Sequence, residues 1–423
     1  MRDAHLRTAR GGKLEQSEER RKADRERRRI KSTDAMRDLM MRYYMEAKAA
    51  EGTERQVAWI TSGGPVEPLI AFDVIPVYPE NHGAMCGAAH MNVELCEVAE
   101  DRGFSRDLCS YARGDIGSAI TKGGPIGGLP RPDFLVCCNN ICNTVFKWYE
   151  ELARFFDVPL FIYDTPFVRG AIPDHITDYT TRQMREYMNF LETITKTPFS
   201  EERYLDAAAK SLAAGTLWMD ILACNEASPA PMTCFDAFIL MAPIVTLRGK
   251  QEVVDFYQTL LAEMRQRVEQ GIGILPSERH RILWDNIPIW YEMRNLGRLF
   301  LELETCLVAD TYTSAWSFTG VDIGNPVASM ARIYSEVYLN INLERMTEKQ
   351  VSLAERYNVD GMILHSNRSC KPYSLGQYDL AREFTRQTGL PALIIEADHT
   401  DSRWYNRSEV ENRIRDFVDN LLD

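Results

Sequence analysis

A chain of 423 residues, 45% of them hydrophobic and 26% charged, is long enough for two or three domains and apolar enough to bury a core in each; this excludes wholesale disorder, collagen and coiled coil. Its 61 acidic side chains outnumber 49 basic ones for a formal net charge of −12, so no global field draws it to nucleic acid or to an anionic membrane, and neither is expected as a partner. No apolar run approaches the roughly 18 residues of a membrane span, and the opening positions lack the apolar stretch of a secretory signal, so a cytoplasmic location is expected.

The first element is a charge-dense arm. Arg20, Arg21, Lys22, Arg25, Arg27, Arg28, Arg29 and Lys31 are interleaved with Glu18, Glu19, Asp24 and Glu26, which breaks up the positive field and reads as a solvated surface extension. Over 35–50, Met36, Leu39, Met40, Tyr43, Tyr44 and Ala47 recur at helical spacing. Residues 1–52 are therefore expected to form a basic arm and an amphipathic helix, a helical N-terminal extension.

Beyond Gly52 the pattern changes to short apolar runs ending in turn residues. Runs at 57–61, Phe134–Cys138 and Leu160–Tyr163 read as strands covered on both faces, with a helix over 145–156 between them. Gly123-Gly124-Pro125-Ile126-Gly127-Gly128 reads as a turn. The stretch from Ile176 to about Cys224 is helical, with Ser200 as an N-cap ahead of Glu201 and Glu202 and with Leu205, Ala208, Leu212, Met219 and Leu222 as its buried face. Strand-like runs resume at 238–242, 282–284, 306–309, 362–364 and 392–395, separated by helices such as 253–268, which Gly271 would end. Alternation of this kind predicts an α/β protein: two Rossmann- or flavodoxin-like domains with parallel sheets, the first over 53–200 and the second, with a helical connection, over 201–423.

Several familiar chemistries lose their support. The chain has no G-x-x-x-x-G-K-[ST], no G-x-G-x-x-G after a strand, no H-E-x-x-H, no G-x-S-x-G and no C-x-x-C pair. Any ATP chemistry belongs to a partner, and any metal site must be gathered from distant loops.

Ten cysteines in a chain expected to be cytoplasmic are small core residues or metal ligands rather than a disulfide framework. Cys137, Cys224 and Cys306 sit in strand or helix patterns and read as core, and Cys86, Cys96 and Cys234 are also read as structural. Cys109, Cys142 and Cys370 lie in loops, the last two just beyond the carboxyl ends of expected strands, where open parallel sheets bind ligands. Cys142 also precedes a helix whose N-terminus favours a thiolate. Cys138, near a strand end, competes with Cys142. Three thiolates are one short of a full set for a [4Fe–4S] cubane and would leave one iron open; structural cysteines and a zinc site are the alternatives on spacing alone. Glu80 and His82, in an expected loop after a short apolar segment, are candidates for a catalytic acid or its orienting partner. A structural hydrogen bond is the other reading of His82. His365 and His399 follow strands.

The loops carry a further signal. Glu80-Asn81-His82-Gly83-Ala84-Met85, Asp107-Leu108-Cys109-Ser110-Tyr111, Cys142 with Phe146-Lys147-Trp148, Leu247-Arg248-Gly249 and Val254-Asp255-Phe256-Tyr257 occur in order. Ser366-Asn367-Arg368-Ser369-Cys370, Ser374-Leu375-Gly376-Gln377, 391–398 and Asp401-Ser402-Arg403-Trp404-Tyr405 follow them. Together, from about residue 34 to the end, they resemble the benzoyl-CoA reductase and 2-hydroxyacyl-CoA dehydratase family.

The resemblance implies two α/β domains and one [4Fe–4S] cluster on Cys109, Cys142 and Cys370. It also implies a related second cluster-bearing subunit and a separate ATP-hydrolysing iron–sulfur activator, in keeping with the missing phosphate loop. Within the family the chain looks most like the larger cluster-bearing subunit of ATP-dependent benzoyl-CoA reductase, an oxidoreductase passing single electrons to an aromatic acyl-CoA. A 2-hydroxyacyl-CoA dehydratase subunit, which is a lyase, and a homodimeric double-cubane reductase of small molecules are the alternatives. Cys138 departs from the family pattern and stands as the alternative to Cys142. Arg113, Arg248 and Arg368 either meet CoA phosphates or pair with nearby acids.

Overall fold

The computed structural model describes residues 23–421. It contains two four-stranded parallel sheets with the same strand order. The first runs β2-β1-β3-β4, with β1 Val57–Ile60, β2 Ile75–Val77, β3 Phe134–Cys138 and β4 Leu160–Tyr163; the second runs β6-β5-β7-β8, with β5 His280–Asp285, β6 Thr305–Asp310, β7 Gly361–Asn367 and β8 Ala392–Ala397. This is the α/β architecture the alternation predicts. In each sheet the chain leaves the first strand to one side and returns on the other, which opens a crevice at the carboxyl ends.

Three apolar layers hold the sheets. One face of the first sheet, with Ala58, Ile60, Phe134, Val136 and Cys138, packs in one core with helices Asp174–Thr195, Glu201–Ala223 and Gln251–Glu269. Its other face, with Trp59, Leu135 and Cys137, shares a core with Leu283, Val308, Met362 and Leu364 of the second sheet. The far side of the second sheet, with Ile282, Trp284, Leu307 and Ile363, packs on helices Met293–Glu302 and Arg407–Asp419. The middle layer sets the two sets of strand ends beside one another.

Helix α1, Ser32–Ala50, buries Met36, Leu39, Tyr43, Tyr44 and Ala47, close to the stripe read from sequence. Its start is fixed by the Glu263 carboxylate, which accepts from the backbone N–H of Lys31 and of Ser32. The arm before it is not wholly solvated: Arg28 donates to the carbonyls of Gly273 and Leu275 at 3.0 and 2.6 Å. Arg20, Arg21 and Lys22 lie outside the described residues.

Two expectations are corrected. The run 238–242 is not a strand: it belongs to helix Cys234–Leu240 and the start of Ala242–Thr246. Thr233 and Asp236 close a capping box that nucleates a helix there, and a five-residue apolar run has no periodicity strong enough to oppose it. In Glu201–Ala223 the Ser200 hydroxyl does accept from the Arg203 N–H, but the most buried seam is Tyr204, Ala207, Ala208, Ser211, Ala214, Gly215, Trp218 and Ile221. Leu205, Leu212, Met219 and Leu222 are only half-buried. Small residues let the helix approach its neighbours closely, so the larger aliphatics are left at the rim.

Candidate active site at the facing strand ends

Three short connections deliver the loop cysteines to one place. Cys109 is the N-cap of helix α2, Ser110–Thr121. Cys142 follows β3 and precedes helix α3, Thr144–Phe156. Cys370 follows β7 and caps the turn of helix Lys371–Ser374. All three line a single cavity of about 100 Å³, with Ser62, Glu80, Trp148, Tyr312 and His399 also in its wall. Their separation in sequence is irrelevant here: each lies beside the end of an element that stops at the crevice.

The electrostatics of the three thiols follow one pattern. Burial pushes the Cys109 thiol up to about 12, while backbone N–H groups of Ala112 and Tyr111 at the start of α2 act the other way. Burial likewise raises Cys142 against the N–H groups of Val145 and Thr144. Cys370 is raised by burial and then by the neighbouring Cys109 and Cys142, with the Tyr373 N–H opposing. Three neighbouring, half-buried sulfurs on a cavity with mostly apolar walls, each met by N–H donors at a helix start, are poised for a cationic group and costly as bare thiolates. Among the described residues no three His, Cys, Asp or Glu side chains are grouped to hold a metal ion; the cysteines surround a space. Soft sulfur donors around a space, with N–H groups aimed at them, suit a small iron–sulfur cluster.

Cys138 is not part of this wall. It lies in the core on the helix-covered face of the first sheet, because successive strand residues point to opposite faces, and its N–H donates to the Thr61 hydroxyl. Cys86, Cys96, Cys234 and Cys306 are buried and Cys224 is half-buried; none lines the cavity.

Glu80 sits in the first turn of helix α4, Pro79–Ala88, rather than in a loop. The short strand β2 before it is not legible in the sequence. Ser62 N–H donates to Glu80 Oε1 at 3.1 Å, whereas Oε2 is buried without a partner. Burial raises this carboxyl to about 7. His82 comes from the same helix but turns away from the cavity: its Nε2 lies 3.6 Å from Cys86 Sγ, and burial lowers its pKa to about 4. A Cβ on Gly124 would stand 2.6 Å from that ring nitrogen, and Gly124 has φ +124°, so the glycine-rich stretch is a turn closed over His82. His399 does line the cavity, with Nε2 3.9 Å from Cys109 Sγ and Nδ1 2.9 Å from Asn367 Oδ1. His365 lies within β7, its Nδ1 2.6 Å from the Ile287 carbonyl.

The arginines pair with acids. Arg113 is buried against Glu100 and Asp401 at 2.6 and 3.1 Å. Arg248 is fully buried, 3.6 Å from Glu67. Arg368 pairs with Asp107 at 3.2 Å and stacks over Trp404.

Asp398, just beyond β8, ties two cysteine loops together. Ser110, next to Cys109, donates to its Oδ1 at 2.6 Å, and Ser369, next to Cys370, donates to its Oδ2. Burial would raise this carboxyl, but His399 and the hydroxyl donors outweigh it and hold it below its ordinary value. Sequence patterns do not single out Ser62 or Tyr312, and Trp148 and Asp398 stand in the sequence only as members of stretches that carry the family resemblance, with no role attached; their positions beyond strand ends or on a site helix are what could flag them.

Comparison with known proteins agrees with this architecture. The family described as 2-hydroxyglutaryl-CoA dehydratase, D-component, matches residues 61–421. The chain is 36% identical to the (R)-2-hydroxyisocaproyl-CoA dehydratase alpha subunit of Clostridioides difficile, covering 90% of this chain and 94% of that one. It is 30% identical to the (R)-phenyllactyl-CoA dehydratase alpha subunit of Clostridium sporogenes, covering 91% and 94%. It is 27% identical to a benzoyl-CoA reductase subunit of Thauera aromatica, covering 87% and 89%.

Proposed function

Because the chain belongs to the 2-hydroxyglutaryl-CoA dehydratase D-component family, we propose that it is the alpha-type subunit of a 2-hydroxyacyl-CoA dehydratase. Sequence motifs alone place benzoyl-CoA reductase first. The order is reversed here because identity is 36% to a 2-hydroxyacyl-CoA dehydratase subunit and 27% to a benzoyl-CoA reductase subunit. The observation that carries the chemistry is the convergence of Cys109, Cys142, Cys370 and Glu80 on one cavity.

Cys109, Cys142 and Cys370 would hold a [4Fe–4S] cluster by three corners. When bound, such a cluster supplies single electrons at low potential and an iron corner free for an oxygen ligand. The N–H groups of Ala112, Val145 and Tyr373 stabilise the sulfurs as thiolates. Trp148, Tyr312 and Tyr338 wall the cavity and exclude water. Loss of water from a 2-hydroxyacyl thioester breaks the C2–O bond and one C3–H bond and gives the enoyl thioester and one water. A proton leaves C3, a proton must reach the departing hydroxyl oxygen, and because the net reaction is redox-neutral the electron that starts it is returned. Glu80 Oε2, buried and unpaired, holds the proton for that oxygen. The electron source is a separate ATP-hydrolysing iron–sulfur activator, and a related second subunit completes the enzyme.

An anaerobic assay of the assembled enzyme with reduced activator tests the reading. Conversion of a 2-hydroxyacyl-CoA to the enoyl-CoA is expected, and formation of a cyclic diene from benzoyl-CoA with no dehydration would replace it by the reductase reading. Iron analysis is expected to give about four irons for this chain, lost in Cys109→Ser, Cys142→Ser or Cys370→Ser and kept in Cys138→Ser. Full iron in all three of the first set would overturn the cluster assignment.

A further inference from the structure

A second cavity, of about 220 Å³, shares no wall residue with the cysteine cavity. It lies beside edge strand β6, against the end of helix Glu201–Ala223, the single turn Thr313–Trp316 and helix Leu343–Arg356. Leu222, Ala237, Val308 and Leu353 give it apolar walls, and Ser314, Ser317 and Lys349 give it polar ones. The polar groups are short of acceptors. The half-buried Lys349 ammonium donates to Ser314 Oγ at 3.0 Å, lies 5.2 Å from the centre of the Tyr338 ring and makes no ion pair among the described residues. Asp310, the one acid in the wall, is already committed: Oδ1 accepts from the N–H groups of Tyr312 and Thr313, and Oδ2 from the Thr313 hydroxyl. Arg356, the other cation in the wall, is held by Glu226 Oε1 at 2.6 Å. Ser317 Oγ is buried with no partner, and the Ser317 N–H donates to the Ser314 carbonyl at 3.2 Å, which sets the two serines on one turn. Burial lowers the Lys349 pKa to about 8, with Asp310 acting the other way. An orphaned hydroxyl and a desolvated ammonium without a counter-charge are each costly.

We propose that this cavity is a binding site for a short-chain monocarboxylate, with the carboxylate on Lys349, Ser314 and Ser317 and the tail against Leu222, Val308 and Leu353. An ammonium and two hydroxyls supply the donors that a carboxylate needs and suit no metal cation. The volume is below the roughly 300 Å³ at which sites for drug-sized ligands begin, too small for a nucleotide or a coenzyme A thioester. A bare inorganic anion would leave the apolar walls facing water, whereas a short hydrocarbon tail covers them. The site stands apart from the cysteines and does not depend on the dehydratase reading.

The test uses the full chain in its assembled enzyme, with butyrate as the probe. In the wild-type protein, acetylation of Lys349 by acetic anhydride, read by peptide mass spectrometry, is expected to slow about ten-fold at roughly ten times the butyrate Kd. Butyramide, which lacks the charge, and inorganic phosphate at the same ionic strength, which lacks the tail, are expected to leave the rate unchanged. In calorimetry, Lys349→Met should weaken butyrate binding by at least about ten-fold and Ser317→Ala by about five-fold. Protection by butyramide equal to that by butyrate overturns the proposal, because the carboxylate would then not be recognised. Equal protection by phosphate overturns it as well, because the tail would play no part. So does a Lys349 that resists acetylation with no ligand present, since the cavity would then be closed to small molecules. Butyrate binding of unchanged strength in both Lys349→Met and Ser317→Ala would place the ligand elsewhere and likewise remove the site.

Discussion

Glu80 Oε2 and Asp115 Oδ1 are buried carboxyl oxygens without partners, and both groups are pushed up by burial, to about 7 and about 8. In the unfolded chain such groups lose their protons near pH 4. The folded state therefore holds protons that the unfolded state has released. The contribution of these two groups to stability is greatest below that value, falls as pH rises through the window up to about 8, and levels off beyond it. Urea midpoints measured from pH 5 to 9 should show this decline, and Asp115→Asn should flatten it. For activity, Glu80→Gln should lower kcat by about 10²- to 10⁴-fold with iron content unchanged; a variant that turns over normally would remove Glu80 from the chemistry. Arg248 is a different case. It is buried among Glu67, the Tyr334 hydroxyl and the Gly64 carbonyl, so Arg248→Met leaves an uncompensated carboxylate and should cost about 3–5 kcal/mol in chemical denaturation.

At the level of elements, Cys109 is placed by the contact between helix Asn92–Asp101 and α2. A Cβ at Gly117 would lie 1.9 Å from the Leu95 carbonyl oxygen, and one at Gly114 the same distance from Asn92 Oδ1. The first obstacle is backbone and cannot rotate away. Gly117→Ala is therefore expected to force the helices apart at a cost of about 1–3 kcal/mol, seen as a lower Tm. A wild-type Tm would show that the pair can slide. The same scale explains where sequence patterns succeed and fail. Phe134–Cys138 and Leu160–Tyr163 are legible because short apolar runs between turn signals have few other fates in an α/β chain. The run 238–242 misleads because a capping side chain at Thr233, outside the run, decides its conformation. Glu80 reads as a loop residue because β2 before it is only three residues long.

For the whole molecule, the joint between the two halves and the cysteine site are one structure. Arg113 and Asp401, Asn92 and Thr400, and Ser110 and Asp398 are bonded across it. Asp398→Ala removes no thiol, yet it frees the loops of Cys109 and Cys370 from a common anchor. Iron affinity should fall by about 10- to 100-fold, measured by chelator competition under anaerobic conditions; unchanged affinity would confine Asp398 to folding. Composition, charge and alternating apolar runs by themselves determined an α/β chain of two parallel-sheet halves, the helix at its start, and the placement of Cys109, Cys142 and Cys370 outside strands and helix interiors, since these are local properties of the backbone and its neighbours. Only the tertiary structure turned Cys138 and His82 away from the cavity, buried Arg113 and Arg248 in ion pairs, and brought Ser62, Trp148, Tyr312 and His399 to the cysteines. Those outcomes depend on which face of a strand or helix meets which neighbour, and that is settled by packing between segments hundreds of residues apart.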